Sequence, residues 1–176
     1  AVESVLGQTF SDFEFIIIDD GSTDGSTQLL KQYAVQDERI RLTVQANAGL
    51  TVSLNRGVSA ARGTYIARMD GDDVCMPTRF ERQVRYLDRH PDHVLVGGQV
   101  HLIDADGCTV YDAHVPPADA ATGNMKGLER SHKRIEAALL GEQWALIHPA
   151  VMMRRAALEQ IDGYDERYKT NQDADL

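Results

Sequence analysis

Two cysteines, Cys75 and Cys108, are all that this chain contains. They make no CxxC pair and cannot found a framework of bridges, which excludes a disulfide-built scaffold and fits a reduced cytosolic setting. Each is expected to be a small buried apolar residue. Positive charge is also scarce: 18 Lys and Arg stand against 27 Asp and Glu, a net charge of −9. An acidic surface repels phosphate backbones, so general nucleic-acid binding is excluded. A nucleotide ligand is not, because a bound cation reverses the local field. Long apolar runs are missing as well. The longest, Trp144 to Met153, is broken by His148 and Pro149, so neither a membrane span nor a signal peptide is read. Internal repeats and low-complexity tracts are lacking. What is present, 43% hydrophobic and 26% charged residues in a chain of 176, is a globular composition of one-domain size.

Along the chain, strand and helix signals alternate. Residues 1 to 8 read as the end of an amphipathic helix, and Phe13 to Ile18 as a strand buried on both faces, the habit of parallel sheets. A polar loop follows from Asp19 to Ser26, with Thr23 or Asp24 as cap of a helix carrying Leu29, Leu30 and Tyr33. Ile40 to Val44 is a strand. Leu50 to Ala61 is a helix with Leu50, Leu54 and Val58 on one face, ended by Gly63. Thr64 to Met69 is a strand running into Asp70, and Pro77 suits the first turn of a helix that stops before Pro91. His93 to Ile103 and Cys108 to Tyr111 read as a hairpin. Residues 112 to 130 read as a loop over the active site, Ser131 to Leu140 as a helix, Trp144 to Met153 as a strand and Arg155 to Ile161 as a helix. The alternation in the first half implies a parallel sheet with helices on both sides; the second half is mixed.

Three acidic clusters stand where elements change. Asp19-Asp20-Gly21-Ser22-Thr23-Asp24-Gly25-Ser26 follows the apolar strand. In open parallel sheets ligands bind beyond the carboxyl ends of strands, and a carboxylate there can accept a base N–H or a ribose hydroxyl. The same residues also make an ordinary capping turn. A calcium loop is a third reading, since Asp20, Ser22, Asp24 and Gly25 match positions one, three, five and six of an EF-hand, but Lys31 stands where its glutamate must be. The second cluster, Asp70-Gly71-Asp72-Asp73, packs carboxylates that repel one another unless a cation or water relieves them. Asp at alternate positions can aim two carboxylates at one hard cation, with phosphate oxygens filling its open positions. The third, Gln172-Asp173-Ala174-Asp175-Leu176, is by itself a helix start.

Their company gives these clusters weight. Ser4 to Phe10, Phe13-Glu14-Phe15 and Ile18 to Asp24 resemble the opening half of family 2 glycosyltransferases of the GT-A fold. So do Asn47-Ala48-Gly49, Asn55-Arg56-Gly57, Ala61-Arg62-Gly63 and Arg68 to Asp73. His148 to Arg155, Gly163-Tyr164-Asp165 and Gln172 to Leu176 follow in the same order, so the resemblance spans nearly the whole chain. It implies an α/β fold, a Rossmann-like GT-A domain with a mostly parallel central sheet flanked by helices. Residues 1–110 would form the nucleotide-binding half and 111–176 the acceptor and catalytic half of one domain. The family's first strand would precede Ala1, and its acceptor-shaping segment would follow Leu176. The expectation is then of a fragment, in keeping with the abrupt beginning and end.

The resemblance also assigns roles. Asp19 and Asp20 would contact the base and ribose of the donor. Asp70 and Asp72 would form the DxD pair holding Mn2+ or Mg2+, with Asp72 the direct ligand and Asp73 beside the donor. Asp173 would be the general base. The expected reaction inverts the anomeric centre of a nucleoside-diphosphate sugar, most often a UDP-sugar, and passes the sugar to a saccharide or lipid-linked acceptor. A cytoplasmic place, peripheral to the inner face of the membrane, and a part in bacterial cell-envelope polysaccharide synthesis go with it. The sequence departs from the family at Leu54, where an arginine often precedes the asparagine. A sugar-phosphate nucleotidyltransferase, a phosphatase with Asp70 as nucleophile and a noncatalytic carbohydrate-binding domain are the alternatives. Outside the clusters, His148 reads as a satisfied histidine, Arg154 and Arg155 as ion pairs or helix packing, and Trp144 as either a sugar platform or a core aromatic. Arg79, Arg82, Arg85 and Arg89 read mostly as one solvated helix face.

Overall fold

The computed structural model describes residues 1–112 and 146–168. The expected helix over 131–140, Trp144, most of the 112–130 loop and Asp173 lie outside these residues. The elements are α1 (Val2–Leu6), β1 (Phe15–Asp19), α2 (Ser26–Gln36), β2 (Ile40–Val44), α3 (Leu50–Ala60), β3 (Tyr65–Ala67) and α4 (Arg79–Arg89). After these come β4 (Leu95–Val96), β5 (His101–Ile103), β6 (Thr109–Asp112), a 3-10 turn (His148–Ala150), β7 (Met152–Arg154) and α5 (Arg155–Gln160).

β1 and β2 pair in parallel, Phe15 opposite Ile40 and Asp19 opposite Val44, as β-branched residues joined through a crossover helix should. β7 runs antiparallel between β3 and β4, and β5 with β6 forms a separate antiparallel hairpin. The mixed character expected of the second half therefore begins at β3, because its hydrogen-bonded neighbour comes from the far end of the chain.

Several local expectations change. The isoleucines of β1 are half-buried rather than buried on both faces. The strand expected over 93–103 is interrupted between β4 and β5 by Gly97 and Gly98. At Gly97 a Cβ would lie 3.0 Å from the end of the Leu146 side chain, and at Gly98 3.2 Å from the Ala150 carbonyl, so a side chain at either would press its neighbour aside. Gly25, at φ 95°, is the N-cap of α2, and Asp24 satisfies the Ser26 N–H at 3.0 Å from one position earlier than a cap. α3 ends at Ala60 with an extended Ala61, so Gly63 is not its C-cap. Leu50 lies exposed, and α3 buries Thr51 and Ser53 instead.

The core has two parts. Val5, Cys75, Phe80, Leu87 and Met152 form one, joined by Phe13, Phe15, Tyr65 and Met69; Val151, Met153 and Leu158 form the other, joined by Val58 and Ile66. β1 and β3 both pack on the first. Cys75 is buried as expected, and Cys108 is exposed on the β5–β6 turn, contrary to expectation.

Candidate active site

Asp19 closes β1 and is buried. Its Oδ1 accepts the Ser22 N–H at 3.0 Å, and its Oδ2 accepts the Thr27 hydroxyl. Hydrogen bonds from Ser22 and Thr27 hold its carboxyl below the usual carboxylate range. The carboxylate thus ties the loop to α2.

Asp20 turns the other way, as alternation along a strand requires. Its Oδ1 accepts Gln45 Nε2 at 2.6 Å and the Ala48 N–H at 2.8 Å, and its Oδ2 accepts the Gly49 N–H at 2.9 Å. Gln45, then the backbone amides of Ala48 and Gly49, lower its pKa against the opposing effect of burial. Gly21, at φ 84°, lies so near the second loop that a Cβ would meet the Asn47 nitrogen at 2.9 Å. The Asp19–Ser26 and Asn47-Ala48-Gly49 segments are therefore one clasp. Gln45 is the residue that sequence reasoning passed over. It bonds Asp20 and Ser53 through Nε2 and takes Arg56 through Oε1, and an unremarkable glutamine after a strand gives no signal of this.

The acidic loop after β3 is built on a buried polar frame. One ligand atom each from Asp70, Asp72 and Asp73 lies within 4.8 Å of the others, with Asp72 exposed and its neighbours half-buried. Burial first, then the charges of Asp70 and Asp72, push the Asp73 carboxyl above its ordinary range. Arg68 forks onto Asp70 with two contacts of 2.6 Å. Arg79 donates to the backbone oxygens of Arg68 at 2.7 Å and Val151 at 3.0 Å. Of the four arginines on α4 it is the one that leaves the solvated face; Arg82, Arg85 and Arg89 stay on it.

The chain's beginning supports this loop. Gln8 donates to the Met76 carbonyl at 2.8 Å and accepts the Phe80 N–H at 3.0 Å, so it caps α4 from outside. Pro77 lies just ahead of that helix, and its carbonyl takes the Thr9 N–H at 2.9 Å.

The third region gathers residues far apart in sequence. Asn55 pairs with both backbone groups of Tyr164, accepting its N–H at 2.9 Å and donating to its carbonyl at 2.8 Å. Thr51 donates to the Tyr168 carbonyl at 2.8 Å. His148 is buried and bonds the Tyr164 hydroxyl at 2.9 Å, the satisfied histidine expected. Arg154 closes the end of α4 on the carbonyls of Leu87, His90 and His93, and Arg155 binds the Gly63 carbonyl and Glu159. Both therefore pack structure.

A family model described as "Glycosyl transferase family 2" matches residues 1–162. The putative glycosyltransferase EpsE of Bacillus subtilis is 33% identical over 178 residues, covering 100% of this chain and 58% of that protein. The O-antigen biosynthesis glycosyltransferase WbnJ of Escherichia coli is 30% identical, covering 93% of this chain and 59% of its own length. The chain thus spans little more than half of these relatives. Among solved structures, the mannosyltransferase PcManGT of Pyrobaculum calidifontis, in complex with GDP-Man and Mn2+, superposes with a TM-score of 0.62 at 18% identity, over 93% of this chain and 42% of that one. That likeness shows the GT-A fold.

Proposed function

The chain belongs to glycosyl transferase family 2, and on that premise we propose that it transfers a sugar from a nucleoside-diphosphate sugar to an acceptor hydroxyl, with Mn2+ or Mg2+ held by Asp70 and Asp72. Residues 1–110 are the donor-binding half and 111–176 the acceptor half. The observation that carries the proposal is the convergence of Asp70, Asp72 and Asp73 within 4.8 Å at the end of a strand. This is a hard-oxygen set suited to either ion, and the mutual repulsion of its carboxylates, which adds to burial in raising Asp73, is what a cation would relieve. Such a cation supplies charge neutralisation to a departing diphosphate.

This chain's own groups do the rest. Asp20, kept ionised by its donors and fixed to the 45–49 turn, presents a negative acceptor for base and ribose N–H and O–H groups, and Asp19 keeps its loop in place. Asp73 borders the donor. Asp173 takes the acceptor's proton; Asn55 and Thr51 anchor residues 164–168, from which the chain runs on toward it. UDP is the expected nucleotide. Saccharide or lipid-linked acceptors and envelope polysaccharide synthesis accord with the O-antigen role named for WbnJ. A cytoplasmic place, peripheral to the inner face of a membrane, goes with this reaction; no helix among the described residues is long and apolar enough to cross one.

Calorimetry with Mn2+ and UDP or GDP tests the proposal. Asp72→Ala should weaken the coupling between metal and nucleotide, and unchanged metal-dependent binding would sink the assignment. Asp173→Asn should lower turnover by about 10² to 10⁴ with donor affinity nearly intact; loss of nucleotide affinity instead would assign it a different role.

A further inference from the structure

Resting on the reading that Asp70 and Asp72 hold a divalent cation, we infer that Arg68 is a built-in competitor for that cation, a positioning residue that sets how tightly the acidic loop takes a bare metal ion. Positions 68 and 70 are two apart at a strand end, where side chains at that spacing share a side. The guanidinium uses the pairing. Nη1 meets Asp70 Oδ2 at 2.6 Å, and Nη2 meets Oδ1 at 2.6 Å. The Arg68 side chain is 7% exposed against 38% for Asp70, so water screens the pair from one side alone. Its Nε is buried with no hydrogen-bond partner among the described residues, which leaves the fork on Asp70 as the compensation for a buried charge.

The second buried guanidinium, Arg79, is held by the neutral carbonyls of Arg68 and Val151. Three carboxylates over two guanidinium groups leave the loop one net negative charge, a weak pull for a bare divalent ion. An arriving cation must also share Asp70. Each Asp70 oxygen already accepts one Arg68 N–H, which leaves fewer lone pairs for an ion. Shared acceptors and like-charge repulsion act in the same direction, so the loop folds without metal and favours the ion together with a polyanionic partner such as a diphosphate.

This predicts the sign of a change. A residue that merely orients a metal ligand weakens metal binding about 10- to 100-fold when removed. A competitor strengthens it. With free Mn2+ followed by electron paramagnetic resonance, Arg68→Gln should bind Mn2+ alone about 10-fold tighter, the lower end of that scale with its sign reversed. Arg68→Lys, a point charge without the fork, should bind Mn2+ alone tighter than wild type and less tightly than Arg68→Gln. The gain should shrink when UDP is present. Affinity unchanged or lowered in Arg68→Gln overturns the inference; if that variant shows no cooperative melt, the same outcomes in Arg68→Lys decide it. Wild-type protein that couples Mn2+ to UDP while Arg68→Gln gains nothing defeats this inference alone. Wild-type protein that binds no Mn2+ with or without UDP defeats the metal reading and the inference with it.

Discussion

Replacing Asn55 with aspartate changes one atom and should destabilise the protein about as much as removing the side chain. The Asn55 amide matches Tyr164 as a backbone neighbour would, accepting its N–H at 2.9 Å and donating to its carbonyl at 2.8 Å, with a further donation to Glu166 at 3.1 Å. Tyr164 is buried, so Asn55→Ala takes one hydrogen bond from each of its two backbone groups at about 1–3 kcal/mol each, which with partial access of water gives about 2–4 kcal/mol. Asn55→Asp keeps the first bond. It loses the second and turns an oxygen toward the Tyr164 carbonyl and the Glu166 carboxylate, adding about 1 kcal/mol of like-charge repulsion for a pair that water screens. The total again falls near 2–4 kcal/mol. A carboxyl in that position is harder to ionise in the folded protein, so the variant's deficit should shrink as pH falls, when the protonated acid can donate to Tyr164. Urea denaturation of wild type, Asn55→Ala and Asn55→Asp at neutral and mildly acidic pH measures all of this. Gly163 gives an internal control. It adopts φ 77°, and a Cβ there would sit 2.7 Å from Asn55 Oδ1, so Gly163→Ala should be partly rescued by Asn55→Ala, with a coupling above about 0.5 kcal/mol. Asn55→Asp within about 0.5 kcal/mol of wild type at neutral pH would refute the clip as a source of stability.

Other consequences follow from the same geometry. Asp19's lowered carboxyl contributes stability above the ordinary carboxylate pKa of about 4 and loses it as pH falls through the lower folded value. Thr27→Val should therefore cost about 1 kcal/mol at neutral pH and flatten the acid limb of the Tm against pH curve; an unchanged limb would count against it. Arg79→Leu should cost about 1–3 kcal/mol in urea by stranding the Arg68 carbonyl, the Val151 carbonyl keeping the Arg68 N–H at 3.1 Å, and a loss well below about 1 would show that water replaces the guanidinium. Thiol titration of the native protein should find Cys108 reactive and Cys75, buried and with its pKa raised, protected until denaturant is added; two fast thiols would contradict the burial.

Much of the candidate site was legible as local chemistry. Carboxylates clustered after apolar strands need only the chain's order to be found, since strand ends and the turns after them are set by neighbouring residues. That reasoning located Asp20 and the Asp70–Asp73 loop and tied both to a family. The family itself rested on the order of short motifs along the chain, which a family model covering residues 1–162 bears out. The partners of those carboxylates were not legible. Gln45 reaches Asp20 across 25 positions, Gln8 reaches Phe80 across 72, and Asn55 reaches Tyr164 across 109. A polar side chain carries no periodic mark of the distant group it will satisfy. Arg79 looked like its solvated neighbours on α4 because helical spacing cannot tell which arginine faces the backbone of another strand.

The sequence by itself determined where the acidic groups stand, which strands they end and which family they belong to, because composition and local order fix those. The tertiary structure alone decided that β7 returns between β3 and β4, and that Asp19 faces inward while Asp20 grips a second loop. It also decided that Asp70 is already engaged by Arg68. These depend on burial. Once water is removed, an unpaired polar group is costly, so nearly all of them take whatever partner the fold provides.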